Sequence, residues 1–167
     1  MRNKGLDLLK WFAITMMVID HLRLIHYFSD YNNILVTIGR FAFPTFAFIL
    51  AVNFKRIIDN SNFQALKSYF INLTLFSLIS ELPYRMLEID PITLNVMPTL
   101  LLGLIFMTLV EFKHKHRVGL VISFIVFLIF TNQWFMYGVF GVFLPFVCLF
   151  TLKHQENKSL VLLPMAI

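Results

Sequence analysis

Long apolar stretches separated by short polar connections run through the whole 167-residue chain. An α-helix needs roughly 20 residues, at about 1.5 Å each, to cross a bilayer. Most of the stretches approach this length. The pattern therefore predicts an all-α polytopic integral membrane bundle of about six transmembrane helices, at residues 6–28, 34–54, 66–82, 94–112, 118–132 and 134–152. A short C-terminal apolar segment, residues 160–167, follows the last polar connection.

The composition agrees with a membrane location. Hydrophobic residues make up 59% of the chain and charged residues 14%, whereas a soluble domain has roughly 45–50% apolar and 25% charged residues. No linker rich in Pro, Gly or Ser and no internal repeat interrupts the chain. We therefore expect one domain over residues 1–167. Its C-terminal apolar segment is either an interfacial tail or the end of a shortened version of a longer architecture.

Basic residues concentrate in every second connection. The net charge of +5 is dispersed over these short loops and forms no extended patch, so we expect membrane lipid and no nucleic acid as a partner. By the positive-inside rule the N-terminus is cytoplasmic. The basic residues of the predicted cytoplasmic side are Arg2, Lys4, Lys55, Arg56, Lys67, Lys113, Lys115, Arg117, Lys153 and Lys158, and the opposite connections hold Arg85.

The first predicted helix carries more ionisable groups than a membrane anchor tolerates. A charge at the bilayer centre costs roughly 2.5–3.5 kcal/mol on insertion scales, so such groups normally serve a function. Lys10 and His21 share one helical face with Asp7 and lie about 16 Å apart along the axis. His21 is a candidate general base because its ordinary pKa is near 6.5. The alternative is that these groups pair with neighbouring helices and only fix packing.

Further polar residues fall at the predicted outer side of the membrane. Arg40 could stabilise a developing oxyanion or form a structural salt bridge with Asp20 or Glu81. Glu81 could equally be a charge at a helix end. We expect no metal, since two histidines in a basic loop are more often solvated than ligands. The remaining candidates at this depth are Asn95 and Tyr137.

Five sequence blocks resemble one family of membrane proteins. The chain reads LDLLKWFAITMMVIDHL, then IGRFAFPTFAFILA, LISELPYR, LNVMPTLLLGL and YGVFGVFLP. These blocks are similar to the TraX family, named for the protein that acetylates the N-terminus of F-type pilin. The TraX family in turn resembles the acyltransferase-3 family, whose first helix carries a basic residue, ten intervening residues and a histidine. Lys10 and His21 have that spacing.

The resemblance implies an acetyltransferase of the bacterial cytoplasmic (inner) membrane. Acetyl-CoA would enter from the cytoplasm, with Lys10 near its phosphates and His21 at the point of transfer. From the residues themselves, Arg40 and Asp20 are the further catalytic candidates, and Glu81, Asn95 and Tyr137 join Lys10 as candidates for substrate binding. The acceptor would be the N-terminal amine of a pilin subunit. The alternatives are O-acetylation of a surface carbohydrate, or a non-enzymatic transporter or assembly factor that uses the same polar residues.

Overall fold

The computed structural model describes residues 4–22, 32–87, 92–112 and 115–154. Within these ranges the chain is all-α, as the apolar pattern predicted. The helices are α1 (Lys4–His21), α2 (Asn32–Gly39), α3 (Ala42–Asp59), α4 (Phe63–Leu87), α5 (Val96–Glu111), α6 (Arg117–Thr131) and α7 (Gly138–Lys153), with a 3-10 turn at Asn132–Trp134. Residues 23–28 of the first predicted span and the C-terminal apolar segment, residues 160–167, lie outside the described residues.

The second predicted span, residues 34–54, lies within one candidate membrane-spanning stretch, Asn33–Asp59. A turn at Arg40 and Phe41 interrupts its helix, because Pro44 has no N–H with which to continue the helical ladder back to Arg40. The third predicted span ends at residue 82, but α4 continues through Pro83 to Leu87. Glu81 therefore lies inside a helix and not at its end.

The chain divides into two compact units, with the boundary between Ile49 and Leu50 inside α3. In the first unit α1 packs along α2. In the second unit α5 contacts α4, α6 and α7, and its most extensive contact is with α7. The single domain predicted from the sequence stays a prediction.

Helices α5 and α7 run parallel, and contacts at both of their ends show it. Before the two helices, the Leu94 N–H donates to the Trp134 carbonyl oxygen at 2.8 Å, and Leu94 forms a parallel bridge with Phe135. At the other end, Lys153 Nζ lies 2.6 Å from Glu111 Oε1. Helix α6 connects the two and returns in the opposite direction.

A glycine allows α5 and α7 to approach closely. A Cβ on Gly103 would lie 2.9 Å from Pro145 Cγ and 3.1 Å from the Val142 carbonyl oxygen. One turn further along α5, the Phe106 ring stands edge-on to Phe143, with centroids 4.7 Å apart. This contact is the favoured aromatic geometry. The pair is therefore close-packed along its middle as well as joined at its ends.

Helix α4 runs antiparallel to α5. The Phe63 ring, at the start of α4, lies 5.7 Å from the Phe112 ring just beyond α5. Near its other end α4 reaches the start of α5, where Glu81 contacts Asn95. The second unit thus has one end at which α4 begins and α5 ends, and an opposite end at which α4 ends and α5 begins.

These two ends differ in charge. Hydroxyl and amide side chains occupy the end where α5 begins, and the described cation there is Arg85. The other cations of the second unit's described residues belong to helix ends and turns of the opposite end, which we name the basic end: Lys55, Arg56, Lys67, Lys115, Arg117 and Lys153.

Two of the described helical stretches are long and apolar enough to cross a membrane. They are Asn33–Asp59, which includes the turn at Arg40, and Arg117–Trp134. Val96–Glu111 and Gly138–Lys153 are apolar but shorter. Large apolar side chains of α4 and α6 are exposed, among them Ile79 at 68% and Phe130 at 79%.

Candidate functional site

His21, the proposed general base, is the last residue of α1. Its Nδ1 lies 2.7 Å from the backbone oxygen of Met17, one turn earlier. A carbonyl oxygen can only accept, so Nδ1 carries the proton and donates it. In the neutral ring Nε2 is then unprotonated, which is the state that a general base requires. The side chain is exposed, so this nitrogen is accessible.

Asp20 packs against the C-terminal end of α2. Its side chain occupies the space into which a Cβ on Gly39 would project, with Asp20 Cγ 2.6 Å from that position. Only glycine fits so close an approach. Arg40 follows Gly39 directly, in the turn before α3. The structure therefore brings Asp20, His21 and Arg40 to the same end of the α1 and α2 pair.

Lys10 lies at a distance from this group, on the same helix. Because α1 is continuous from Lys4 to His21, the eleven steps between Lys10 and His21 span about 16 Å. Lys10 Nζ is 3.5 Å from Asp7 Oδ1, and the two side chains are 44% and 26% exposed. An exposed pair of this kind contributes roughly 0–1 kcal/mol, so Lys10 can exchange it for a phosphate at little cost.

Glu81 forms a hydrogen-bonded group with Asn95 in the second unit. Its Oε2 accepts from the Asn95 backbone N–H at 3.1 Å and from Asn95 Nδ2 at 2.8 Å. Its Oε1 accepts from Arg85 Nε at 2.8 Å. The carboxylate stands at the N-terminus of α5, where the helix dipole favours negative charge. These contacts join α4 to the start of α5.

Asn95 begins α5, as the sequence predicted, and is buried. Its Oδ1 accepts from the Met97 N–H at 2.8 Å, which is an N-cap. Its Nδ2 also lies 3.2 Å from Ser80 Oγ and 3.4 Å from the Ser77 carbonyl oxygen. The side-chain amide of Asn95 is thereby satisfied on both its oxygen and its nitrogen.

Tyr137 lies near this group because of the chain pairing at the start of α5 and α7. It precedes α7 as its N-cap residue and stands two positions after Phe135, which pairs with Leu94. Asn95 is the next residue after Leu94. Glu81, Asn95 and Tyr137 therefore belong to one end of the second unit, as Asp20, His21 and Arg40 belong to one end of the first.

Sequence reasoning missed several polar partners. The Glu81 and Arg85 pair has the i, i+4 spacing that signals a helical ion pair, so the motif SELPYR contained that signal. Ser77 and Ser80 had no such signal, because their partner is 15 or more residues away. Thr99 Oγ1 was also missed: it is buried and has no hydrogen-bond partner in the part of the chain that the structure describes.

Among the described residues, no group of three or more His, Cys, Asp or Glu side chains could hold a metal ion. The sequence model of a protein family described as TraX protein matches residues 5–167 of the chain. No curated protein and no solved structure matches it.

Proposed function

Because the chain belongs to the TraX protein family, we propose that it is an integral membrane acetyltransferase. It moves an acetyl group from cytoplasmic acetyl-CoA to the N-terminal amine of a pilin subunit at the outer face of the bacterial inner membrane. The TraX family is associated with F-pilin processing. The single observation that supports the proposal is the position of the His21 ring. A hydrogen bond to the Met17 carbonyl oxygen holds this ring, and the same continuous helix carries Lys10 eleven residues earlier.

The membrane placement rests on two features of the helices. Exposed apolar side chains on α4 and α6 are suited to contact with lipid tails. Apart from Arg85, the described cations of the second unit lie at its basic end, and by the positive-inside rule this end faces the cytoplasm. The proposed protein is then a polytopic bundle with a cytoplasmic N-terminus, and its His21 end lies toward the outer face.

The chemistry assigns each group a separate task. His21 Nε2 takes the proton of the acceptor amine as the amine nitrogen attacks the thioester carbonyl. Arg40 stabilises the negative charge that develops on the carbonyl oxygen, and Asp20 balances the charge of Arg40 between turnovers. The C–S bond then breaks, and the proton held by His21 neutralises the departing thiolate of CoA. Glu81, Asn95 and Tyr137 are proposed contacts of the acceptor.

A second candidate is transport, which the break between α2 and α3 favours. Discontinuous helices line the substrate and ion sites of many transporters, because their exposed backbone ends bind charged groups. A transporter would move a solute in liposomes and show no thermal shift with CoA. The family favours the acetyltransferase, with a carbohydrate hydroxyl as the alternative acceptor.

The test is acetyl transfer by the purified protein from labelled acetyl-CoA to pilin in membranes, with the intact mass of pilin as readout. We expect an acetylated pilin with the native chain and none with His21→Ala. His154 is the matched control, because its Nδ1 likewise lies 3.0 Å from the carbonyl oxygen four residues earlier, Phe150. His154→Ala should transfer normally. Full transfer by His21→Ala would remove the assignment of the base, and an unchanged pilin mass would redirect the search to surface glycans.

A further inference from the structure

The basic end of the second unit contains an apolar cavity of about 130 Å³. It lies where the turn between α3 and α4 meets the residue that follows α5, and its walls are mainly hydrocarbon. An apolar cavity of roughly this size can accept small apolar groups. The lining residues are Ile57, Ile58, Ser61, Asn62, Phe63, Leu66 and Phe112.

The backbone N–H groups of Ser61 and Asn62 and the side-chain oxygen of Asn62 form hydrogen bonds within the turn itself. The Ser61 N–H donates to the Ile58 carbonyl oxygen at 2.9 Å and the Asn62 N–H to that of Ile57 at 3.0 Å, which together end α3 in a Schellman motif. Asn62 Oδ1 accepts from the Ala65 N–H at 2.9 Å and so caps α4. The cavity therefore offers mainly hydrocarbon to an occupant.

Among the residues that the structure describes, two cations lie next to lining residues in sequence. Arg56 precedes Ile57 and Lys67 follows Leu66. Both side chains are exposed, and neither has an ion-pair partner among the described residues. The nearby carboxylate of Asp59 is neutralised by Lys55, with Nζ 2.7 Å from Oδ2. The surroundings of the cavity thus carry positive charge that is available to an anion.

Exposed apolar side chains follow along α4 beyond the cavity, from Ile71 onward. Phe63, which lines the cavity, is 63% exposed, and further exposed apolar residues follow on α4 at helical spacing. They include Ile71, Leu75, Ile79 and Leu82. A ligand held at the cavity can therefore extend a long hydrocarbon chain along these side chains toward the other end of the helix.

We propose that this cavity binds an anionic phospholipid of the cytoplasmic leaflet. The phosphate contacts Arg56 and Lys67, the glycerol end of one acyl chain fills the cavity, and the chains lie along α4. Polybasic sites next to an apolar surface recognise anionic lipid in this way. The inference rests on the membrane placement in the proposed function, and not on the acetyl transfer.

The test is native mass spectrometry of the full chain in detergent, with phosphatidylglycerol and phosphatidylcholine of identical acyl chains. We expect preferential retention of phosphatidylglycerol. The double variant Arg56→Gln, Lys67→Gln should weaken it by about fivefold for each cation, and Ile58→Trp, which fills the cavity, should weaken both lipids. The control Lys4→Gln, Arg117→Gln removes the same charge from sites that do not adjoin the cavity and should retain the lipid.

Three outcomes would overturn the lipid site. They are equal retention of the two lipids, an equal loss in the control variant, and displacement of phosphatidylglycerol by free CoA, which would make the cavity a coenzyme site. The His21→Ala variant separates this inference from the proposed function, since it should keep the lipid while losing transfer. If the native chain binds phosphatidylglycerol but does not transfer acetyl groups, the proposed enzyme activity is refuted and the lipid site is not. If it transfers acetyl groups but does not bind phosphatidylglycerol, the lipid site is refuted and the activity is not.

Discussion

Helices α1 and α5 differ in how many charged side chains they carry and in how many of their residues are buried. Helix α1 carries Asp7, Lys10, Asp20 and His21, and of its 18 residues Leu6 and Ala13 are the buried ones. Helix α5 has 16 residues, seven of them buried, and no charged side chain before Glu111. Lys10, Asp20 and His21 therefore lie on a helix with few buried residues. Helix α5, the central helix of the second unit, is well buried and has no charged side chain before its last residue.

The difference shows how each helix is held. Helix α5 is positioned by many apolar contacts, so a change of even one methyl group in its packing alters stability. Helix α1 depends on fewer and more specific contacts, of which the approach of Asp20 to Gly39 is the closest described. Substitutions in α1 should accordingly change activity, and substitutions in α5 should change stability.

The largest expected effect distinguishes the role of His21 from that of Lys10, both on α1. His21→Ala should lower turnover by roughly 10²–10⁴-fold and leave acetyl-CoA affinity unchanged. Lys10→Gln should instead weaken acetyl-CoA binding by about 1–3 kcal/mol, the value of a charge-assisted contact. Lys10→Arg should be tolerated. Isothermal titration together with steady-state kinetics measures both quantities. If Lys10→Gln leaves the affinity intact and His21→Ala destroys it, the orientation assigned to the coenzyme is wrong.

Two glycine substitutions test the difference between α1 and α5 directly. Gly39→Ala places a methyl group on Asp20, which displaces the end of α1 beside His21, and a misplacement of about 1 Å can cost 10²-fold in rate. Gly103→Ala places one against Pro145 and should cost about 1–3 kcal/mol of stability by overpacking. We expect Gly39→Ala to lower the rate more than the melting temperature, and Gly103→Ala to lower the melting temperature.

Gly119 is the control for both substitutions. A Cβ at this position meets no atom within 4 Å, and alanine is favoured over glycine inside a helix by up to about 1 kcal/mol. Gly119→Ala in α6 should therefore preserve activity and raise the melting temperature slightly. Equal melting temperatures for the Gly103 and Gly119 variants would show that the α5 and α7 contact is not close-packed.

The smallest expected effect concerns the polar end of α5. Glu81→Gln removes the charge that accepts from Asn95 and Arg85 and should cost about 1–3 kcal/mol, since Asn95 is buried. Arg85→Gln should cost less than about 1 kcal/mol, because the Arg85 side chain is 52% exposed. Denaturation in detergent measures both. A larger loss for Arg85→Gln than for Glu81→Gln would show that the ion pair, and not the cap, holds this end together.

Local features of the fold could be predicted from the sequence, but contacts between residues far apart in the sequence could not. Apolar length located the helices, and the polar side chain of Asn95 before an apolar run marked the start of α5. Pro44 signalled a distortion, although not a complete break. The contacts of Glu81 with Asn95 and of Gly103 with Pro145 join residues far apart in sequence, so no local propensity encodes them. Their prediction requires knowing which helices are neighbours.

In the candidate site, too, local features could be predicted from the sequence and contacts between helices could not. The spacing of Lys10 and His21 and their place on one helix could be read directly, because helical geometry converts spacing into distance. The hydrogen bond from His21 to Met17 also follows an i, i−4 spacing. The packing of Asp20 on Gly39 could not be anticipated, since it depends on how α1 lies along α2.

The parallel arrangement of α5 and α7 has a consequence for synthesis of the chain. The surface of α5 around Gly103 is completed by Val142 and Pro145, which leave the ribosome about 40 residues later. At roughly 5–20 residues per second, this delay is about 2–8 s. During that time the nascent α5 has α4 and then α6 as partners, and the face that α7 will cover must be shielded by lipid or by the insertion machinery. Codon changes that slow translation between α5 and α7 would lengthen this interval without altering a single residue of the finished protein.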